Sequence, residues 1–260
     1  MATSDATEVF STGGFVARCW ATTAEMGTAA AADIAAALRD LLASQRQVRV
    51  MFAAAPSQSA MLARLIEEPG IEWGRVSAFH MDEYVGLAAD HPARFGNWLD
   101  QHVWRQVPMG AVHKIEPGED PAAAAAAYAR LLAEAPLDIV CLGIGMNGHI
   151  AFNDPPFADF GDPLMVKPIE LDEVSRRQQV EDKCFDRLEE VPRTAITVTI
   201  PALMAGGQLF TTVPGGHKCE AIERTLYGPI DVGCPATILR THPACNLYLD
   251  AASAPALRAE

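Results

Sequence analysis

The sequence lacks the features that usually direct a chain to a membrane or to nucleic acid. No apolar stretch is long enough to span a bilayer, and no basic segment followed by an apolar run is found near the N-terminus. Basic residues are few: 20 Lys and Arg stand against 33 Asp and Glu, for a net charge of −13. This acidic balance argues against nucleic acid or an anionic membrane as the main partner. We therefore expect neither.

Patterns for disulfides and metal sites are also missing. The six cysteines show no CxxC spacing and Cys141 lies in a predicted core strand, so we expect reduced thiols and a cytoplasmic protein. None of the seven histidines forms HxxxH or another ligand spacing, and we predict no metal and no cofactor. An anionic small substrate stays open, because the local field of a pocket differs from the net charge.

Strands and helices alternate along the chain. The 260 residues are half hydrophobic and show no internal repeat or composition shift, so we predict one domain over residues 1–260. Predicted strands are 48–52, 75–79, 137–142, 194–200, 208–213, 235–239 and 246–249. Predicted helices are 22–43, 60–67, 122–133, 175–179, 218–226 and the end of 90–103, whereas 1–20 is weakly patterned and 157–163 reads as a loop. The alternation predicts a three-layer α/β fold with a mostly parallel sheet and helices on both faces.

The densest set of polar groups follows the predicted strand 137–142. Three glycines occur within six residues: Gly143, Gly145 and Gly148. Between and after them, an amide, an imidazole and a carboxylate lie within eight residues: Asn147, His149 and Asp154. Ligands of open α/β sheets bind just beyond the carboxyl ends of strands. A Gly-rich turn with a structural histidine is the alternative, but the clustering favours a functional site.

Two further strand ends carry candidate anion ligands. The turn after strand 48–52 contains Ser57, Gln58 and Ser59 before a helix, which is either a phosphate-binding arrangement or an ordinary serine N-cap. Lys218 stands at a predicted helix start, where its charge opposes the helix dipole unless an anion neutralises it. A surface lysine is the alternative reading.

Two blocks of the sequence resemble a known enzyme family. GIGMNGHIAFNDPP at 143–156 resembles the GxGxDGHIAFNEP signature of the glucosamine-6-phosphate deaminase (isomerase) family. FHMDEYVGL at 79–87 resembles the family block FNMDEYVGL, and the similarity continues through 191–198 and 215–221 to His242–Pro243. Related 6-phosphogluconolactonases share the fold but carry GHTASLFP-like residues after the glycines, so GHIAFNDPP favours the deaminase branch. The chain departs from the family pattern at Asn147, at Asp154 and in the Ser57 loop, which usually reads TGxTP.

The resemblance implies a deaminase that converts glucosamine 6-phosphate, or a close relative, and water to fructose 6-phosphate and ammonia. In this interpretation His149 opens the sugar ring, Asn147 and Asp154 orient its imidazole, and Asp82 moves the C2 proton. Side chains alternate along a strand, so only one carboxylate of Asp82–Glu83 faces the pocket, and the family block selects Asp82. Substrate and phosphate contacts fall to Ser57, Gln58, Ser59, Lys218 and Gly145.

Other classes remain open at this point. A 6-phosphogluconolactonase-like hydrolase would use the same histidine to activate water, and another sugar-phosphate isomerase would share the proton transfer. A sugar-phosphate-binding sensor is the non-enzyme alternative, but no basic helix-turn-helix segment precedes Val48. The sequence also allows a homo-oligomer.

Overall fold

The computed structural model describes residues 6–155, 157–181 and 183–255. Its strands, in chain order, are β1 (Thr7–Thr12), β2 (Phe15–Trp20), β3 (Val48–Phe52), β4 (Val76–His80), β5 (Asp82–Tyr84), β6 (Ala111–His113), β7 (Ile139–Leu142), β8 (Val166–Glu170), β9 (Thr194–Val198), β10 (Gln208–Val213) and β11 (Cys245–Asp250). Eight of them form a central sheet in the order β1-β2-β11-β10-β7-β3-β4-β6. Every neighbouring pair is parallel except β1 and β2.

The α-helices are α1 (Thr23–Ser44), α2 (Ser59–Leu65), α3 (Phe95–Leu99), α4 (Pro121–Ala133), α5 (Glu173–Glu181), α6 (Ile200–Met204) and α7 (Cys219–Tyr227). Two apolar clusters lie on opposite faces of the sheet. Val50 and Phe52 of β3 pack with α1 and α2, whereas Met51 of the same strand belongs to the cluster that includes α4 and α7. Because central strands are buried on both faces, they read as continuous apolar runs. The predicted three-layer α/β fold is confirmed.

Small residues let the helices approach closely. Thr22 and Glu25 form a capping box that fixes the start of α1. Gly27 then faces Ala60 of α2, and a Cβ at Gly27 would lie 2.8 Å from the Ala60 Cβ. The alanine-rich composition of α1 thus brings α2, and the turn before it, against the sheet.

One predicted strand is wrong and several were missed. Residues Pro235–Thr241 form a 3-10 helix, in which Thr237 Oγ1 donates to the Cys234 carbonyl at 2.8 Å. Proline lacks an N–H for a sheet ladder, which explains the difference. The weakly patterned N-terminal region contains the hairpin β1–β2, and residues 1–5 lie outside the described part. Short strands β5, β8 and β9 form a separate antiparallel sheet, of which only β9 was anticipated.

Candidate active site

A cleft opens at the carboxyl ends of four adjacent parallel strands, β10, β7, β3 and β4. The cleft and the open solvent at its mouth together span about 550 Å³. Six of the predicted residues line it: Ser57, Gln58, Asp82, Gly145, His149 and Lys218. Asn147 and Asp154 lie behind His149, and a side-chain oxygen of each contacts its Nδ1. Asn147 also donates a hydrogen bond to Asp154. Ser59 is not among the lining residues; it is half-buried at the first position of α2.

The His149 imidazole is held by one nitrogen. Its Nδ1 lies 2.7 Å from Asn147 Oδ1 and 2.9 Å from Asp154 Oδ1. Because both neighbours are acceptors there, Nδ1 carries a proton, and in the neutral form of the ring Nε2 keeps a lone pair. A base with a fixed tautomer beside a cleft is suited to proton transfer.

Asn147 makes one hydrogen bond that an aspartate at this position could not make. Asn147 Oδ1 also accepts from the His149 backbone N–H at 3.1 Å, and its Nδ2 donates to Asp154 Oδ1 at 3.0 Å. An aspartate has no N–H to offer and would set two carboxylates side by side. The amide therefore joins His149 and Asp154 into one network.

The pKa of Asp154 is lowered within this network. Burial alone would raise it, but the charge of His149 and hydrogen bonds from His149, Asn147 and Ser175 outweigh burial. Asp154 therefore stays ionised and can stabilise a positive charge on the imidazole.

Two glycines make room for the turn. Gly148 has φ of 84°, in the left-handed region, and a Cβ there would lie 2.4 Å from Cys234 Sγ. At Gly145 the imidazole of His149 packs directly against the backbone, and a Cβ would lie 2.1 Å from His149 Cε1. Gly145 thus leaves room for the His149 ring, and Gly148 leaves room for Cys234.

Gly145→Ala should displace the His149 ring, because a Cβ cannot stay within 2.4 Å of three of its atoms. We expect the hydrogen bond to Asn147 to break and the imidazole nitrogen chemical shifts to move, as measured by NMR. Gly74→Ala is the matched control, since the nearest atom to its Cβ would be 3.9 Å away. Unchanged His149 shifts in Gly145→Ala would contradict this view of the turn.

The two carboxylates after β4 have separate environments. Asp82 lines the cleft, whereas Glu83 accepts from the backbone N–H groups of Tyr84, Phe95 and Gly96 at 2.9–3.0 Å. Burial, then the charges of Glu83 and Asp154, raise the pKa of Asp82 well above its usual range. A carboxylate with a raised pKa is a stronger base than an exposed one.

A third part of the cleft carries the positive charge. Lys218 is 3% exposed, lines the cleft and ends the 3-10 turn Gly216–Lys218. Asp250 anchors that turn, since its two carboxylate oxygens accept from the Gly215 N–H at 3.1 and 3.2 Å. The turn that carries Lys218 is thereby fixed in place. A buried ammonium group that lines a cleft is suited to bind an anionic group of a ligand.

Gln58 links the loop that contains Ser57 to strand β10 of the sheet. Its Nε2 donates to the Thr212 carbonyl at 3.1 Å and to Ser57 Oγ at 3.2 Å, while Oε1 accepts from Thr212 Oγ1 at 2.7 Å. The amide is thereby occupied by protein partners. Gln58 positions the loop, and Ser57 is the residue of that loop that offers a hydroxyl to the cleft.

The sequence reading missed the contributions of α5 and of Asp250. Ser175 Oγ donates to Asp154 Oδ1 and lies 3.0 Å from His149 Nδ1, and Gln178 and Gln179 line the cleft. The available signal was polar residues at helical spacing where an apolar stripe is usual. Asp250 gave no local signal, because its contact with Gly215 joins residues far apart in the chain.

Within residues 6–155, 157–181 and 183–255, no cluster of three or more His, Cys, Asp or Glu side chains could hold a metal ion. The helices of the same residues are too short or too polar to span a bilayer. All six cysteines are free thiols.

Comparisons with known proteins place the chain in a family. Residues 21–156 match the family described as glucosamine-6-phosphate isomerases/6-phosphogluconolactonase. A glucosamine-6-phosphate deaminase of Exiguobacterium sp. is 32% identical over 193 residues, 74% of each chain. A glucosamine-6-phosphate deaminase of Listeria monocytogenes is 34% identical over 184 residues, 69% of this chain and 75% of its own.

Solved structures share the fold over most of the chain. A monomeric glucosamine-6-phosphate deaminase superposes with a TM-score of 0.84 at 22% identity, covering 91% of this chain and 98% of its own. A 6-phosphogluconolactonase of Trypanosoma brucei gives a TM-score of 0.76 at 17% identity, covering 93% and 98%. At these identities the structures establish the fold alone.

Proposed function

The chain belongs to the family of glucosamine-6-phosphate isomerases and 6-phosphogluconolactonases, and we propose that it is an amino sugar 6-phosphate deaminase. The reaction would convert glucosamine 6-phosphate and water to fructose 6-phosphate and ammonia. Relatives at 32–34% identity carry the deaminase name. These comparisons support an enzyme of the deaminase branch.

The observation that carries the proposal is the pairing of two bases in one cleft. Asp82 lines it with a raised pKa, and His149 lines it with Nδ1 engaged and Nε2 available. An aldose–ketose conversion needs one base for the ring-opening proton and one for the carbon-bound proton. A lactonase needs only a base for water, so the presence of a second base, the buried carboxylate of Asp82, favours the deaminase.

Ring opening is the proposed task of His149. Its Nε2 takes the proton of the C1 hydroxyl and delivers a proton to the ring oxygen, so that the C1–O5 bond breaks and an aldehyde forms. The imidazolium that exists between the two transfers is stabilised by Asp154, whose pKa is lowered by this same pairing although burial opposes it.

Asp82 then acts on the open chain. Its carboxylate takes the C2 proton to give an enolamine and returns a proton at C1, which leaves an imine at C2. Water adds to that carbon and ammonia leaves, so the atoms of sugar, water and products balance. The raised pKa makes Asp82 basic enough to compete for a carbon-bound proton.

Lys218→Ala should mainly weaken substrate binding. The lysine contacts a phosphate equally in ground state and transition state, so KM rises and kcat changes little. A charge-assisted contact contributes about 1.5–3 kcal/mol, or roughly ten- to a hundred-fold in KM. Arg64→Ala, which removes an exposed charge on α2, is the control and should leave KM unchanged. An unchanged KM in Lys218→Ala would place the phosphate elsewhere.

Ammonia release from a panel of hexosamine 6-phosphates tests the function. We expect release from glucosamine 6-phosphate together with stoichiometric fructose 6-phosphate, and no hydrolysis of 6-phosphogluconolactone. Lactone hydrolysis without ammonia release would replace the proposal by the hydrolase alternative. Tight binding of the sugar phosphates with no turnover of any would indicate a sensor.

The proposal extends to the location, the domain organisation and the oligomeric state of the protein. Six free thiols fit a reducing compartment, which supports a cytoplasmic enzyme. We further propose that residues 1–260 form one sugar-phosphate isomerase/deaminase domain that needs no cofactor. A homo-oligomer stays a prediction, which molar-mass measurement by light scattering checks directly.

A further inference from the structure

Helix α5 covers the cleft with a polar face. Its buried residues are Ser175, Gln178 and Gln179, at positions i, i+3 and i+4 of one helical face. A helix that packs on a protein usually buries an apolar stripe there. Because burying polar groups costs free energy unless they are hydrogen-bonded, each of the three needs a partner.

Two of the three have their partners in the turn that carries His149. Ser175 Oγ donates to Asp154 Oδ1 and lies 3.0 Å from His149 Nδ1. Gln178 Oε1 accepts from the Met146 N–H at 3.1 Å. These contacts fix both the distance and the rotation of α5 relative to the cleft.

Gln179 is the exception. Its side chain is 7% exposed and lines the cleft, so it is nine-tenths buried beside the candidate catalytic groups. In the described parts of the chain (6–155, 157–181 and 183–255), no protein group hydrogen-bonds to its amide. The amide atoms of Gln179 are not sealed off from the cleft, so both its donor and its acceptor are open to a group of a bound ligand.

We propose that Gln179 determines specificity by hydrogen-bonding a hydroxyl of the sugar at C3 or C4. The inference rests on the proposed function. In that function C1 and C2 belong to His149 and Asp82, and the phosphate at C6 belongs to Lys218. The hydroxyls at C3 and C4 are then the polar groups left without a protein partner.

The chemistry of the amide fits a hydroxyl better than a charged group. A hydroxyl donates one hydrogen bond and accepts others, and an amide offers both an acceptor oxygen and a donor nitrogen. Gln179 lies one helical turn beyond Ser175, which touches His149, so the two contacts are about 5–6 Å apart along α5. This separation is similar to the span between substituents on opposite sides of a pyranose ring.

The test compares Gln179→Ala with the wild type on glucosamine 6-phosphate and on its 3-deoxy and 4-deoxy analogues. We expect kcat/KM for glucosamine 6-phosphate to fall about ten-fold, the usual effect of one lost hydrogen bond to a buried partner. For the analogue that lacks the contacted hydroxyl, the same substitution should change kcat/KM less than two-fold. Arg177→Ala on the exposed face of α5 is the control and should match the wild type on all three.

An equal loss on all three sugars would overturn the proposal, because a merely structural glutamine does not distinguish hydroxyls. Gln179→Glu provides a second variant that keeps the shape and one acceptor. It should retain the preference for the hydroxylated sugar if the hydroxyl donates to the side chain.

Failure of the proposed function would be seen separately, as a wild type that releases no ammonia from any hexosamine 6-phosphate. The same comparison is then made with dissociation constants from calorimetry. Weaker binding of glucosamine 6-phosphate, but not of one deoxy analogue, by Gln179→Ala would still support the assignment. Equal binding of all three sugars by both proteins would refute it.

Discussion

Asp82→Asn is expected to abolish ammonia release while substrate binding stays within a few-fold of the wild type. The amide keeps the shape of the carboxylate but cannot accept the C2 proton, and removing a general base costs about 10²–10⁴-fold in rate. The sharpest measurement is exchange of the C2 proton with solvent deuterium. Retained exchange in Asp82→Asn would remove the residue from this role.

The same substitution should stabilise the fold. Burial, Glu83 and Asp154 raise the pKa of Asp82, so the folded state holds its proton more tightly than the unfolded state. The contribution of such a group is present below the unfolded pKa, near 3.9, and is lost as pH rises towards the folded pKa. Within that window the loss is about 1.4 kcal/mol per pH unit for one group.

A neutral asparagine avoids this loss, so the melting temperature of Asp82→Asn should exceed that of the wild type increasingly as pH rises above the unfolded pKa towards the folded pKa. Asp40→Asn on the exposed face of α1 is the matched control and should show no such trend. A variant that melts below the wild type across this range would show that Asp82 holds the fold together. Higher stability with no activity would instead identify a strained functional group.

The fold was predictable because its signals are local. Strands β3, β7 and β10 are short apolar runs, and α1 and α4 are rich in alanine and leucine. The strand predicted at 235–239 failed because apolar residues at alternate positions do not reveal a proline-initiated 3-10 helix. Strands β5 and β8 are too short or too polar for periodicity to mark them, and each of them pairs with β9.

In the candidate site, too, the residues that lie close together in the sequence were predictable, whereas the contacts between distant segments were not. Residues within one turn, such as Asn147, His149 and Asp154, could be grouped from spacing and from the resemblance to the family. Contacts between distant segments could not: Ser175 reaches Asp154 and Asp250 holds the Gly215 turn across the fold. Burial is also a property of the folded chain, so the raised pKa of Asp82 has no counterpart in the sequence.

His149→Gln should lower kcat/KM on glucosamine 6-phosphate by about 10²–10⁴-fold, because the amide cannot shuttle a proton between C1 hydroxyl and ring oxygen. The loss should depend on the substrate. An analogue methylated on both its 4- and 5-hydroxyls can form neither a five-membered nor a six-membered ring, so it needs no ring opening, and there we expect a loss under ten-fold. His102→Gln, a half-buried histidine stacked on Trp98, is the control and should match the wild type on both substrates.

The comparison of the two substrates separates ring opening from the later steps. Asp82→Asn should be equally inactive on the ring and on the open chain, because both pass through removal of the C2 proton. His149→Gln should be inactive on the ring alone, since Asp154 and Asn147 hold its imidazole for a step that the open chain omits. Equal losses on both substrates would mean that His149 serves a step common to them. The cleft would then resemble a lactonase, in which the histidine activates water directly.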